Sequence, residues 1–401
     1  MNIHLSSLRH GDSSSCARKR VLIDASTITM SEDGLAVYIV SLIRHLADLP
    51  NVDLEFTVLL NPGVHRPDLD QAISAGGMQD LRARIAPIGP KRDWDMFRFL
   101  RKHRGRFDLI HVTSNNYPFA LKGGVATIHD VTFKHWFHRQ AGVPGSAWLA
   151  RLYLDRVTRH CLKHADAIIA VSESTRRELG LHFDATTAEC AKIKVIHEGW
   201  EHLVNPDERA QPVLAPRSNG YLFSLGSHRV HKNLAGLLEG FRLALPRIPA
   251  GKRLVIGGTS GQKASAYRLL VDEINSKSER VGFTGYLPTA EVRNHYRHAD
   301  AFIFPSLSEG FGLPVLEAFY YGTPLLCSRD TALPEVAGDA AFYFDPADPS
   351  SIANAIVRFY ADPADAGRLR ALGTERLGKF SWRHAAEQTL AVYRCCLGVP
   401  G

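Results

Sequence analysis

The sequence predicts an α/β protein with two doubly wound parallel sheets. Three observations lead there. Short apolar runs alternate along the chain with stretches that repeat their apolar residues at helical spacing, as in strands buried between helices. The 401 residues are too many for one ordinary core. A stretch at 205–218, rich in proline and poor in apolar residues, splits the alternation into two series.

The first series opens with a strand at 20–25 (RVLIDA) and a polar loop. A helix over 35–46 follows, with Leu35, Tyr38, Ile39, Leu42, Ile43 and Leu46 at helical spacing. Strands are predicted at 54–60, 107–112 and 125–128, the last ending at His129. A long helical region covers about 146–165. Strand 167–171, a helix over 173–179 entered after Ser172, and strand 192–196 complete the series. The second series has strands at 221–225, 253–256, 281–283, 301–304, 324–327 and 341–344. A last helix at about 382–396 carries the stripe Ala385, Leu390, Val392 and Tyr393. The expected division is a disordered lead-in at 1–19, a domain at 20–204, a linker at 205–218, a domain at 219–381 and a closing helix at 382–401.

Composition narrows the classes. The 45% apolar content is that of a soluble globular protein. No apolar run reaches the ~18 residues needed to span a bilayer. The first twenty residues are basic and serine-rich and lack the apolar core of a secretory signal. Cys16, Cys161, Cys190, Cys327, Cys395 and Cys396 form no C-x-x-C pair, which argues for a reducing cytoplasm and against zinc or disulfides. The formal charge is +7, and residues 1–200 hold 26 Lys and Arg against 21 Asp and Glu. Such an excess fits a solvated surface, an anionic membrane or a diphosphate-bearing acceptor. No nucleic-acid partner is expected.

The chemistry concentrates in PSLSEGFGLPVLEAFYYGTPLLCS, residues 305–328. The apolar run 301–304 reads as a parallel strand, and Pro314 suits the first helical position. Glu309 then lies on a loop at a strand's carboxyl end, where open α/β sheets bind ligands, and Glu317 is expected in the first turn of the following helix. Helix-start N–H groups attract phosphate, and a carboxylate can accept two ribose hydroxyls.

This stretch resembles the E-x7-E signature of retaining glycosyltransferases of the GT-B fold, family 4. Further landmarks recur in order: His129-Asp130, Lys232-Asn233, Phe283-Thr284-Gly285-Tyr286, then Glu309 to Glu317 and Gly322-Thr323-Pro324. The likeness covers roughly residues 20–395. It implies two Rossmann-like domains facing a cleft, acceptor on the first and nucleotide sugar on the second, with the last helix crossing back to the first domain.

Site residues follow from that resemblance position by position. Glu309 contacts the transferred sugar, Glu317 the ribose, and Gly310, Phe311, Gly312 and Leu313 the donor. Lys232 holds the diphosphate, whose charge grows as the anomeric bond breaks. The family places an arginine five residues earlier; here that position is Ser227, and Arg229 is the preferred substitute. His129 lies near the transferred sugar, with Asp130 orienting its imidazole. Gly285 and Tyr286 approach the base, although an aromatic at a strand end is more often simply core. Gly34 is a lone glycine where relatives often have two, so a phosphate-binding loop and an ordinary turn both stay open.

No Asp-x-Asp follows an apolar strand. Asp93-Trp94-Asp95 has the spacing but opens a helix, and reads as helix-start charge rather than a metal site. No cofactor or metal is expected beyond the donor. Trp94, Phe97 and Leu100 share a helix face among Arg98, Arg101, Lys102, Arg104 and Arg106. A helix packed on its own sheet is favoured over one lying on a membrane. The expected reaction is retaining hexosyl transfer, with GDP-mannose favoured as donor and a lipid-linked oligosaccharide as acceptor. The alternatives are a UDP- or dTDP-sugar transferase, an epimerase, and a non-catalytic sugar-binding protein.

Overall fold

A computed structural model of the chain describes residues 18–28, 33–50, 53–136, 144–204, 220–226, 229–258 and 265–399. The lead-in up to residue 17, the linker 205–218 and Ser227 lie outside the described residues.

Seven strands form the first sheet: β1 (Lys19–Asp24), β2 (Leu54–Leu60), β3 (Gln79–Arg82), β4 (Leu109–Val112), β5 (Val125–Ile128), β6 (Ala167–Ala170) and β7 (Ile193–Val195). Their order is β3-β2-β1-β4-β5-β6-β7, every pair parallel. Six strands form the second: β8 (Tyr221–Leu225), β9 (Arg253–Gly257), β10 (Val281–Gly285), β11 (Ala301–Phe304), β12 (Leu325–Ser328) and β13 (Ala341–Phe344). Their order is β10-β9-β8-β11-β12-β13, again all parallel. These are two Rossmann-like sheets, the GT-B arrangement.

Strand order reverses at β1/β4 in one sheet and at β8/β11 in the other. Ligands of such sheets bind outside the carboxyl ends at these switch points. Lys232 follows β8 and Glu309 follows β11, so one switch point carries both.

β3 is absent from the sequence reading. It is an edge strand of sequence QDLR, exposed or half-buried throughout, so no apolar run betrays it. The helix Leu313–Tyr320 starts at Leu313 with Pro314 next, which puts Glu317 beyond the first turn, not in it.

The closing helix Trp382–Leu397 packs against the helix Gly34–Ala47 of the first sheet's layer. Trp382 is fully buried with its ring 5.7 Å from that of Tyr38. Arg394 donates two 2.8 Å hydrogen bonds to Asp53. Tyr393 joins a buried polar chain: its hydroxyl lies 2.6 Å from His111 Nδ1, His111 Nε2 lies 2.8 Å from Thr127 Oγ1, and Thr127 meets the Tyr38 hydroxyl at 2.9 Å. Hydroxyls can donate or accept, so every member is satisfied without a charge.

Candidate active site

Lys232 stands in a short 3₁₀ turn, Val230–Lys232, after β8. Asn233 ends that turn in the left-handed region, φ 55°. Its side-chain amide donates to Pro305 O at 3.2 Å and Pro346 O at 2.7 Å, and Leu307 N donates to His231 O at 2.7 Å. These bonds fix the lysine turn to the loop that carries Glu309. Lys232 Nζ then donates to Glu309 Oε1 at 2.6 Å, both side chains mostly buried. Glu309 N donates to Thr331 Oγ1 at 3.0 Å. Thr331 has φ 55°, strained for a β-branched residue, and sequence reading missed it.

Two glycines are required in this loop. Gly310 lies so close to the first domain that an added Cβ would sit 1.7 Å from His129 O. Gly312 has φ 107° and caps the helix Leu313–Tyr320. Phe311 and Leu313 are buried in the core, so what they can offer a donor is backbone. An added Cβ on Gly34 would be 3.9 Å from Leu313 Cδ1, so the loop after β1 reaches the same place.

Glu317 is half-buried and accepts a 2.8 Å hydrogen bond from Tyr296, which is itself buried. Burial raises the Glu317 pKa, and the tyrosine hydroxyl offsets part of the rise. Tyr286 is 79% exposed rather than core, and follows Gly285, whose φ is 72°. Arg229 is exposed and forms no ion pair among the described residues.

On the other wall, His129 follows β5. Its Nε2 lies 3.0 Å from Thr113 O, and its Nδ1 lies 3.6 Å from Glu198 Oε1. The Tyr38 ring meets the imidazole edge-on at 4.6 Å. Asp130 does not hold the imidazole: its Oδ1 accepts from Thr132 N at 2.9 Å and from Thr132 Oγ1 at 2.6 Å. A short side chain readily closes such a local turn, and this occupies the oxygen. Glu198, in the His-Glu-Gly that follows β7, is the carboxylate at the histidine instead. Burial lowers the His129 pKa, but Glu198, Thr113 O and Asp130 outweigh it, and the net shift is upward.

Asp93 and Asp95 both sit in the helix Pro90–Lys102. Asp93 accepts from Phe119 N and the Tyr153 hydroxyl; Asp95 accepts from Lys91 and Ala86 N.

The fold and this cleft define the class: a two-domain sugar-nucleotide enzyme of GT-B architecture. A model described as Glycosyltransferase Family 4 matches residues 33–201, and one described as Glycosyl transferases group 1 matches residues 206–376. The chain is a glycosyltransferase and belongs to family 4. It is 28% identical over 293 residues to the O-antigen chain mannosyltransferase B of Escherichia coli, covering 72% of this chain and 74% of that one. It is 26% identical over 429 residues to a D-inositol 3-phosphate glycosyltransferase of Thermobifida fusca, covering 100% and 94%. Sucrose-phosphate synthase from Thermosynechococcus elongatus superposes with a TM-score of 0.70 at 22% identity, covering 95% and 100%.

Proposed function

We propose that the chain transfers a hexose with retention, mannose from GDP-mannose in the favoured case, to a lipid-linked oligosaccharide during bacterial surface polysaccharide synthesis. One observation carries the chemistry: Lys232 and Glu309 pair at 2.6 Å at the second sheet's switch point, beside the His129 wall. Similarity to an O-antigen mannosyltransferase supports the sugar and the acceptor class.

In the resting site the two charges neutralise each other. An arriving diphosphate takes Lys232, which frees Glu309 for sugar hydroxyls. Lys232 then meets the charge that grows on the β-phosphate, so it favours the transition state over the ground state. Glu317 takes the ribose, and Tyr286 is free to stack on the base. Front-face displacement fits this set: the acceptor oxygen forms the new bond as the anomeric C–O bond breaks, and the departing β-phosphate takes the acceptor's proton. No metal is required, because Lys232 and the N–H groups of the Leu313–Tyr320 start supply the positive potential.

Among the described residues no helix is long and apolar enough to cross a membrane. The proposed location is cytoplasmic, peripheral on the inner membrane face through the helix Pro90–Lys102.

The test is nucleotide release from GDP-mannose with and without acceptor, repeated in EDTA. Release should rise with acceptor and survive chelation; complete loss restored by Mn²⁺ would remove the metal-free scheme. Thermal shift with GDP, UDP, dTDP and ADP reads the base, a saturating ligand at 100 times its Kd adding about 2.7 kcal/mol. Stabilisation by UDP and not GDP would reverse the donor assignment.

A further inference from the structure

The first domain holds a buried histidine, His111, and a half-buried one, His129, with opposite surroundings. His111 sits between the hydroxyls of Thr127 and Tyr393, which can donate or accept. A neutral ring satisfies both, and burial pushes its pKa down to about 3, with the His129 charge adding to the effect. His129 sits between the Thr113 carbonyl and the Glu198 carboxylate. Both of these only accept. A neutral imidazole would aim one lone pair at an acceptor oxygen, whichever tautomer it chose. A proton on Nε2 serves Thr113 O, and a second proton on Nδ1 replaces a lone pair facing the carboxylate with a charge that the carboxylate attracts.

We propose that Glu198 is a positioning residue that holds His129 as an imidazolium in the cleft, making His129 a fixed cation and not a proton acceptor. Glu198 is 4% exposed. At 3.6 Å it is beyond hydrogen-bond length yet well within Coulomb range, so it favours the imidazolium by charge. The other groups around the ring leave this assignment in place. Tyr38 presents a ring edge, Thr113 a carbonyl, and Asp130 a carboxylate already engaged by Thr132. Across the cleft, His231 is within electrostatic reach of Asp130, Lys232 and Glu309, the last two paired with each other. The imidazolium has no lone pair to take the acceptor's proton. In the proposed transferase, on which this catalytic consequence rests, that proton has to leave by another oxygen.

The experiment is histidine NMR on the full chain with ¹⁵N-labelled imidazoles, His129 assigned by its disappearance in His129→Gln. In the parent at pH 7 the His129 ring nitrogens should both read as protonated. Glu198→Gln keeps the shape, removes the charge and can donate to a neutral Nδ1. Its His129 titration should move down by about one unit or more. Glu198→Asp, which keeps the charge, should restore most of that shift. The alkaline limb of kcat/KM should move with the titration. A neutral His129 in the parent at pH 7 overturns the proposal, even if Glu198→Gln fails to fold. An unchanged titration in a folded Glu198→Gln overturns it as well. The titration is read without substrate, so a parent that shows the imidazolium but transfers no sugar would defeat the proposed reaction and not the role of Glu198.

Discussion

The two signature carboxylates differ in their partners, and their roles should separate accordingly. Glu309 is held by the Lys232 ammonium and Glu317 by the Tyr296 hydroxyl. Glu317→Ala should weaken free nucleotide binding and raise KM more than it lowers kcat. Glu309→Gln should cut kcat by a factor on the order of a hundred without weakening free nucleotide binding, because a nucleoside diphosphate lacks the transferred hexose and Lys232 is released from its ion pair. Calorimetry of nucleotide binding to both variants decides; the reverse pattern would exchange the roles. Glu317 also carries a pH prediction. Its pKa is raised, so the carboxylate proposed to take the ribose is present above that raised value and lost as pH falls through it. Tyr296→Phe removes the hydrogen bond that favours the charged form. The acid limb of nucleotide affinity should then move to higher pH, and an unmoved limb would show that Glu317 does not take the ribose.

The helix Pro90–Lys102 shows where sequence reading stops. Two stripes compete for the inward face, Trp94-Phe97-Leu100 and Arg92-Met96-Phe99. The first is all apolar and the second contains an arginine, so the sequence favours the first. The fold buries the second. Arg92 donates at 2.5 Å to Asp24, at the end of β1, and at 3.0 Å to Ser26 Oγ, and both partners of the ion pair are essentially buried. A partner 68 residues away is invisible to periodicity, and pairing is what makes a buried arginine tolerable. Glu198 escapes for the same reason, whereas the loop position of Glu309 follows from the local order of strand, loop and helix, and Lys232 and Gly310 are picked out by their match to the family pattern. The helix rotation leaves Trp94 60% and Phe97 41% exposed, their rings stacked 5.7 Å apart, with Arg98, Arg101 and Lys102 exposed beside them. Interfacial aromatics beside cations suit an anionic bilayer. Changing Arg98, Arg101 and Lys102 to Glu should abolish sedimentation with phosphatidylserine-containing vesicles and leave turnover of a soluble acceptor nearly unchanged. Undiminished sedimentation would return this face to bulk solvent.

Across the whole molecule, the two domains meet through a few directed bonds beside the cleft. Ser172 Oγ donates to Gly310 O at 2.6 Å, and Thr175 Oγ1 reaches both Gly310 O and His129 O at 3.2 Å. Glu335, from the second domain, accepts from Glu173 N at 2.8 Å and Ser174 N at 3.1 Å, the first N–H groups of the helix Glu173–Phe183. His197 Nε2 lies 2.7 Å from the same carboxylate. Glu335 therefore caps a helix of the other domain, where backbone donors and helix dipole both favour negative charge. Burial opposes that charge, but His197 and the two N–H groups outweigh it, and its pKa is lowered. The sign follows from linkage. A depressed carboxylate contributes stability that is fully present above its ordinary value near 4.5 and is lost as pH falls through the lower folded value. Hydrogen bonds to a charged group contribute about 1.5–3 kcal/mol, so Glu335→Gln should lower the melting midpoint at pH 7. The gap between variant and parent should close as pH falls from that ordinary value through the lowered folded one. The same variant should hold the cleft less tightly shut, seen as a larger radius of gyration by small-angle scattering at pH 7. If variant and parent match in both midpoint and radius at pH 7, the Glu335 cap does not hold the two domains together.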